Sequence, residues 1–143
     1  MREKISIFTD GGARGNPGIS GAGVYICDQS DKEILSKYQF LGHKTNNEAE
    51  YLAMRVALEF LKSFLSDRAG EFELVFHLDS KLVVEQMNKR WKIKEARLAV
   101  LAANNWQILE QLPRCSWKIV HIMREENKRA DFLANQAMDE ALV

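Results

Sequence analysis

The chain of 143 residues carries no net charge, because twenty Lys and Arg balance twenty Asp and Glu. A whole-molecule positive field that draws a protein onto nucleic acid is therefore excluded, and electrostatic docking has to come from a local cluster. Cysteine is scarce. Cys27 and Cys115 stand alone, without CxxC spacing or a Cys/His partner motif. This argues against a structural zinc or a disulfide framework and predicts two buried thiols in a reducing compartment. No segment approaches the roughly 18 apolar residues a membrane span needs, and the N-terminal MREKISIFTD lacks a long apolar stretch. A cytoplasmic protein away from the membrane is the expectation. Nor is there an internal repeat, low-complexity tract or linker. What is present, 46% hydrophobic residues, suffices for one domain, residues 1–143, around one core.

The hydrophobic pattern changes period along the chain. Residues 4–9 read as a central strand, and 21–28 and 33–41 as two strands joined by the polar turn QSDK. From Asn46 to Ser66, Ala53, Ala57, Leu61 and Phe64 recur at helical spacing, with Glu48, Arg55, Glu59 and Lys62 opposite. Strands are predicted at 72–78 and 116–123, and helices at 80–88, 95–112 and from Lys128 to about Leu142. Three strands followed by alternating helices and strands make an α/β protein: an antiparallel margin on a sheet whose later strands need helical crossovers.

Four of the acids fall where chemistry is done. Asp10 ends the first strand and Asp79 ends the fourth, in VFHLDS. If these strands are parallel neighbours, both carboxylates meet at the carboxyl ends, where open α/β sheets place ligands; each alone also suits a helix or turn cap. In KTNNEAEYLAM, a rotation of about 100° per residue puts Glu50 in line with Ala53, Ala57 and Leu61, whereas Glu48 projects toward solvent. A carboxylate on the buried stripe calls for a partner or a cation. In the last helix, Ala130, Ala134, Ala137 and Ala141 form a small-residue packing face that Asp131 borders. Converging acids without matching bases cannot all remain ionised unless cations are present. Hard oxygen ligands favour Mg²⁺ or Mn²⁺, and a pair of such ions suits in-line phosphodiester hydrolysis.

TDGGARGNPG, TNNEAEY, LDS and ENKRADFLA, in this order and on these elements, resemble the signature segments of type 1 ribonuclease H over about Ile5 to Ala137. The resemblance implies a ribonuclease H-like fold with a five-stranded mixed sheet, its first three strands antiparallel and the later ones added in parallel, flanked by helices. It further implies endonucleolytic hydrolysis of the RNA strand of RNA–DNA hybrids with two Mg²⁺ ions, Mn²⁺ substituting, held by Asp10, Glu50, Asp79 and Asp131.

By the same resemblance Gly11, Asn16, Asn46 and Asn47 lie against the hybrid, where amides can read 2′-hydroxyls and base edges in an A-form-like minor groove with little sequence preference. The glycines after Asp10 would then admit the substrate without Cβ clashes. Thr45 would contact a phosphate of the DNA strand. The run NKRWKIKEAR places Lys89, Arg90, Lys92, Lys94 and Arg97 around Trp91, resembling a shortened form of the family's basic handle for duplex phosphates. Many family members carry an assisting histidine on a mobile loop before the last helix. Here His121 lies inside the apolar run KIVHIM and reads as a packed strand residue, so Arg124 is the better candidate for an assisting group. Alternatives are a module that binds hybrids or structured RNA without cutting, which gains nothing from clustered acids, and another nuclease of the same fold. No obligate protein partner is evident, and a monomer is expected.

Overall fold

The structure, a computed structural model, describes residues 2–142. Alternating burial along β1 (Arg2–Gly15) shows how its sheet is covered: Ile5 and Ile7 have no exposed surface, while Ser6 and Phe8, on the other side, are half-buried. β1 pairs antiparallel with β2 (Gly18–Asp28), which pairs antiparallel with β3 (Glu33–Lys44); β1 also pairs in parallel with β4 (Glu71–Leu78), and β4 with β5 (Cys115–His121). The order β3-β2-β1-β4-β5 makes β1 the central strand. This is the mixed five-stranded sheet expected from the sequence.

One face of the sheet carries α1 (Asn46–Ser66), which packs on β1 and β2, with α3 (Ala96–Gln111) lying against α1 and the short α2 (Lys81–Met87) beside them. The apolar stripe of α1 buries Ala53, Ala57 and Leu61 completely, the last two in one cluster with Ile5, Ile7, Val24, Ile26, Leu74 and Phe76. The other face carries α4 (Lys128–Glu140), which crosses β2, β1 and β3. Its small residues bring it close, since Ala130, Ala134 and Ala137 are all buried. A Cβ at Gly23 would overlap the Ala130 carbonyl oxygen. Ala141, expected on this face, lies just past the helix and is exposed.

Two differences from the sequence reading have physical causes. Asp10 does not end β1. The strand continues through the glycines to Gly15, pairing with β2 residue by residue down to Gly15↔Gly18, because the hairpin ladder needs no side chains at these positions. A single 3-10 turn, Arg124–Glu126, separates β5 from α4, so Arg124 stands past the strand rather than at its end. Both cysteines are free, Cys27 buried and Cys115 partly so. Among the described residues no helix is long and apolar enough to cross a membrane.

Candidate active site

Parallel pairing of β1 with β4 stops at Thr9↔Leu78, so the residues that follow, Asp10 in β1 and Asp79 just past β4, emerge side by side where the ladder opens. Asp10 reaches this position in mid-strand, not at a strand end. α1 then brings Glu50 over the same point, and ligand oxygens of Asp10, Glu50 and Asp79 lie within 4.8 Å of one another. The approach needs glycine at position 11: a Cβ there would overlap the Ala49 carbonyl oxygen, and the bare Gly11 N–H donates to Glu50 Oε1 at 2.6 Å. Gly11 is buried, so its missing side chain makes room for α1 in the first place, not for a substrate.

The bland explanations for these acids do not survive the helix caps. Ser80, not Asp79, caps α2, its hydroxyl accepting from Val83 N–H at 3.3 Å. Glu48 belongs to a capping box in which Thr45 Oγ1 accepts from Glu48 N–H at 3.1 Å and Glu48 Oε1 accepts from Thr45 N–H at 2.9 Å. Those hydrogen bonds hold the Glu48 carboxyl below its usual range. Glu50 is left without a capping duty and facing the sheet.

Asp131, on α4, lines the same cleft of about 460 Å³ without belonging to the tight trio. Asn135 donates from Nδ2 to the Asp131 carbonyl at 2.9 Å and to Oδ1 at 3.4 Å. Asn135 is in turn engaged by Arg14, which donates to its Oδ1 at 3.3 Å and pairs with Asp139 at 2.6 Å. The β1–β2 hairpin is thereby clamped to α4. Burial and the neighbouring charges of Asp79 and Asp131 push the Asp10 carboxyl up from 3.8 to about 8. Glu50 is held well above the normal carboxylate range by burial and by Asp10 and Asp79, the Gly11 N–H offsetting part of this. Such a cluster takes up protons or a hard cation.

Around the acids, Asn46 Oδ1 accepts from Ala13 N–H at 2.9 Å and Asn16 Oδ1 from Asn46 N–H at 2.9 Å. Both asparagines thus use their carbonyl oxygens internally, leaving each amide NH₂ as a donor. Asn47 and Arg124 also line the cleft. His121 does not, and it is exposed instead of packed, since it terminates the edge strand β5.

The basic segment forms the connection between α2 and α3. Lys92, Lys94 and Arg97 are exposed, but Arg90 makes a bidentate pair with Glu85, at 2.6 and 3.0 Å, and Lys89 Nζ sits 4.7 Å from the centre of the Trp106 ring. Trp91 is 45% exposed. Gln86 anchors the segment, donating to the Lys92 carbonyl at 3.4 Å and accepting from the Tyr51 hydroxyl at 2.7 Å. Residues that motif reading left unassigned, Arg14, Gln86, Asn127 and Asn135, are neutral or distant in sequence and act through contacts that only the fold creates.

The sequence pattern of the reverse transcriptase-like family matches residues 8–137. A bifunctional protein of Mycobacterium tuberculosis is 38% identical over 139 residues, covering 96% of this chain and 36% of the relative; the chain thus spans about a third of that protein's length. A ribonuclease H of Ruthia magnifica is 37% identical over 149 residues, covering 95% of this chain and 96% of the relative. The crystal structure of LC11-RNase H1 in complex with an RNA/DNA hybrid superimposes with a TM-score of 0.90 at 42% identity, covering 97% of this chain and 99% of that one. With a matched family pattern over most of its length and a full-length relative at this identity, the chain belongs to the ribonuclease H family.

Proposed function

We propose that the chain is an endonuclease that hydrolyses the RNA strand of RNA–DNA hybrids, using Mg²⁺ or Mn²⁺ and showing little base-sequence preference. The observation that carries this reading is the meeting of Asp10, Glu50 and Asp79 within 4.8 Å, with Asp131 across the same cleft. The donor set fits hard divalent ions: all its donors are carboxylate oxygens, and no Lys or Arg pairs with any of the four among the described residues. Asp10, Glu50 and Asp79, with Asp131, would hold two such ions, which when bound supply an activated water and charge neutralisation at the leaving oxygen.

The chain's own residues do the rest. The rigid β1–β4 ladder fixes two of the acids, and the Gly11 N–H orients the third. The amide NH₂ groups of Asn16 and Asn46, whose Oδ1 atoms are already engaged, would donate to 2′-hydroxyls and base edges, the chemistry that tells RNA from DNA. Arg124 stands at the cleft as a cation for a phosphate oxygen of substrate or product. Lys92 and Lys94 extend the phosphate contacts beyond the cleft, with Lys89 and Arg90 held beside them. A monomer in the reducing cytoplasm belongs to the same proposal. All four acids come from one chain, and both thiols are unpaired.

The test is cleavage of labelled RNA–DNA, RNA–RNA and DNA–DNA duplexes with Mg²⁺, Mn²⁺ or chelator. Internal cuts in the RNA of the hybrid alone, abolished by chelator, are expected. Hybrid binding without cleavage in either metal would favour the non-cutting alternative, and cleavage of DNA duplexes would favour another nuclease of this fold.

A further inference from the structure

Asn127 occupies the N-cap of α4, the position at which an asparagine side chain ordinarily accepts from its own helix's first free N–H groups. It makes no such bond. The side chain turns the other way, into the sheet, and is 1% exposed. Its Nδ2 donates to the Thr9 carbonyl at 2.9 Å and to Asp79 Oδ2 at 2.9 Å, while its backbone carbonyl accepts from Asp131 N–H at 3.0 Å. One buried residue therefore touches the peptide preceding Asp10, the carboxylate of Asp79 and the backbone of Asp131. The amide orientation is dictated by these partners, because turning it over would set Oδ1 against two acceptors. Directing Nδ2 to these acceptors leaves Oδ1 buried with no hydrogen-bond partner.

We propose that Asn127 is the positioning residue of the metal site, holding Asp79 in the orientation that lets it share cations with Asp10 and setting the start of α4 so that Asp131 meets them. This rests on the reading of the four acids given above. Neutral donors to ligand carboxylates fix ligand orientation, and their loss typically lowers metal affinity about 10- to 100-fold. A neutral amide suits the task better than Lys or Arg, since it orients the carboxylate without competing with the cation for its charge.

The experiment compares Asn127→Ala with Asn105→Ala, a control that removes an equally buried asparagine whose Nδ2 donates to the Tyr51 carbonyl at 3.2 Å and whose Oδ1 is likewise unpartnered. Both variants should melt at lower temperature. Only Asn127→Ala should raise the Mn²⁺ dissociation constant measured by calorimetry, by about tenfold or more, and shrink the Mn²⁺-induced rise in melting temperature. Its half-saturating Mg²⁺ for hybrid cleavage should rise in parallel, with turnover at saturating Mg²⁺ largely recovered. Equal Mn²⁺ affinity in Asn127→Ala and wild type overturns the proposal. Should Asn127→Ala fail to fold, the intact protein serves: the Asn127 side-chain NH₂ resonances should be slow to exchange and should shift on Mg²⁺ titration, and resonances unmoved at saturation overturn it equally. Asp10→Asn is run alongside. If that variant binds Mn²⁺ and cleaves like wild type, the metal-site reading itself fails; if it loses both while Asn127→Ala keeps both, only the role of Asn127 does.

Discussion

The Gly11 N–H donates to Glu50 Oε1 at 2.6 Å, joining the residue after one proposed ligand to the side chain of another and seating α1 directly on the central strand. Gly11→Ala tests how much depends on that closeness. The new methyl group would overlap the Ala49 carbonyl, a backbone atom that cannot swing aside. Moving α1 to accommodate it should destabilise the fold by roughly 1–3 kcal/mol and displace Glu50, so that cleavage falls more than stability does. Urea denaturation and hybrid cleavage, measured on the same preparation, check this; near-normal activity would mean that α1 tolerates retreat without losing Glu50.

Asp10→Asn should keep the fold and lose cleavage, on the order of 10³-fold or more, because the amide matches the carboxylate in shape but cannot serve as an anionic metal ligand. It should also change how stability depends on pH. In chelator, the folded state holds a proton on Asp10 up to about pH 8, whereas an ordinary aspartate releases it near 3.8. Between these values the unfolded chain binds fewer protons, so stability falls as pH rises and levels off above about 8. Glu50, raised for the same reasons, adds to the slope. The substitution should flatten the decline, and divalent ions should stabilise wild type most at the alkaline end, where the ligands are already deprotonated. Melting curves in chelator and in Mn²⁺ across this range show whether Asp10 carries the slope.

The four acids were legible because each sits at a position where pattern and geometry coincide: two just past the apolar runs of strands that proved parallel, one on the packed stripe of α1, and one beside the small-residue face of α4. The antiparallel margin and the helical crossovers followed from the same pattern and the five-stranded mixed sheet from the resemblance, whereas the strand order is a finding of the structure. Less legible were features made by tertiary contact. The glycine run after Asp10 looked like a loop, because a strand of glycines carries no periodicity; it is the ladder that α1 and α4 approach. Asn127 carries no signal of its role in the sequence, because its turn toward Thr9 and Asp79 depends on residues 118 and 48 positions away. His121 looked packed from its apolar neighbours, but an edge strand leaves its last residue open to solvent.

Glu50→Gln and Glu48→Gln separate chemistry from capping within the first turns of one helix. Glu50→Gln should lose activity by orders of magnitude. Glu48→Gln should change it little, since glutamine can still accept from the Thr45 N–H in the capping box, and stability should fall by no more than about 1 kcal/mol. Steady-state cleavage of a labelled hybrid by both variants is the check, with equal losses contradicting the assignment of the two faces.

The basic connection between α2 and α3 is not uniform, and its salt dependence should show it. Lys92 and Lys94 are exposed, and no acidic side chain pairs with either among the described residues. Arg90 already shares its charge with Glu85, and Lys89 lies over Trp106. Replacing Lys92 and Lys94 with Ala should therefore weaken hybrid binding and reduce the slope of log K against log salt by up to about two units, at about 0.9 for each phosphate no longer neutralised. Replacing Lys89 and Arg90 should reduce the slope less, because removing Arg90 also frees the Glu85 carboxylate near the duplex and adds a repulsion to the missing attraction. That repulsion lowers affinity without mimicking a released counterion, so affinity and slope part company in the second variant and move together in the first. The measurement is hybrid affinity in Ca²⁺ over a salt series, with turnover at saturating substrate recorded in Mg²⁺ to confirm that the acids are undisturbed. Identical slopes for both double variants would show that Arg90 leaves Glu85 when the duplex arrives, and unchanged slopes in both would remove this segment from the hybrid interface.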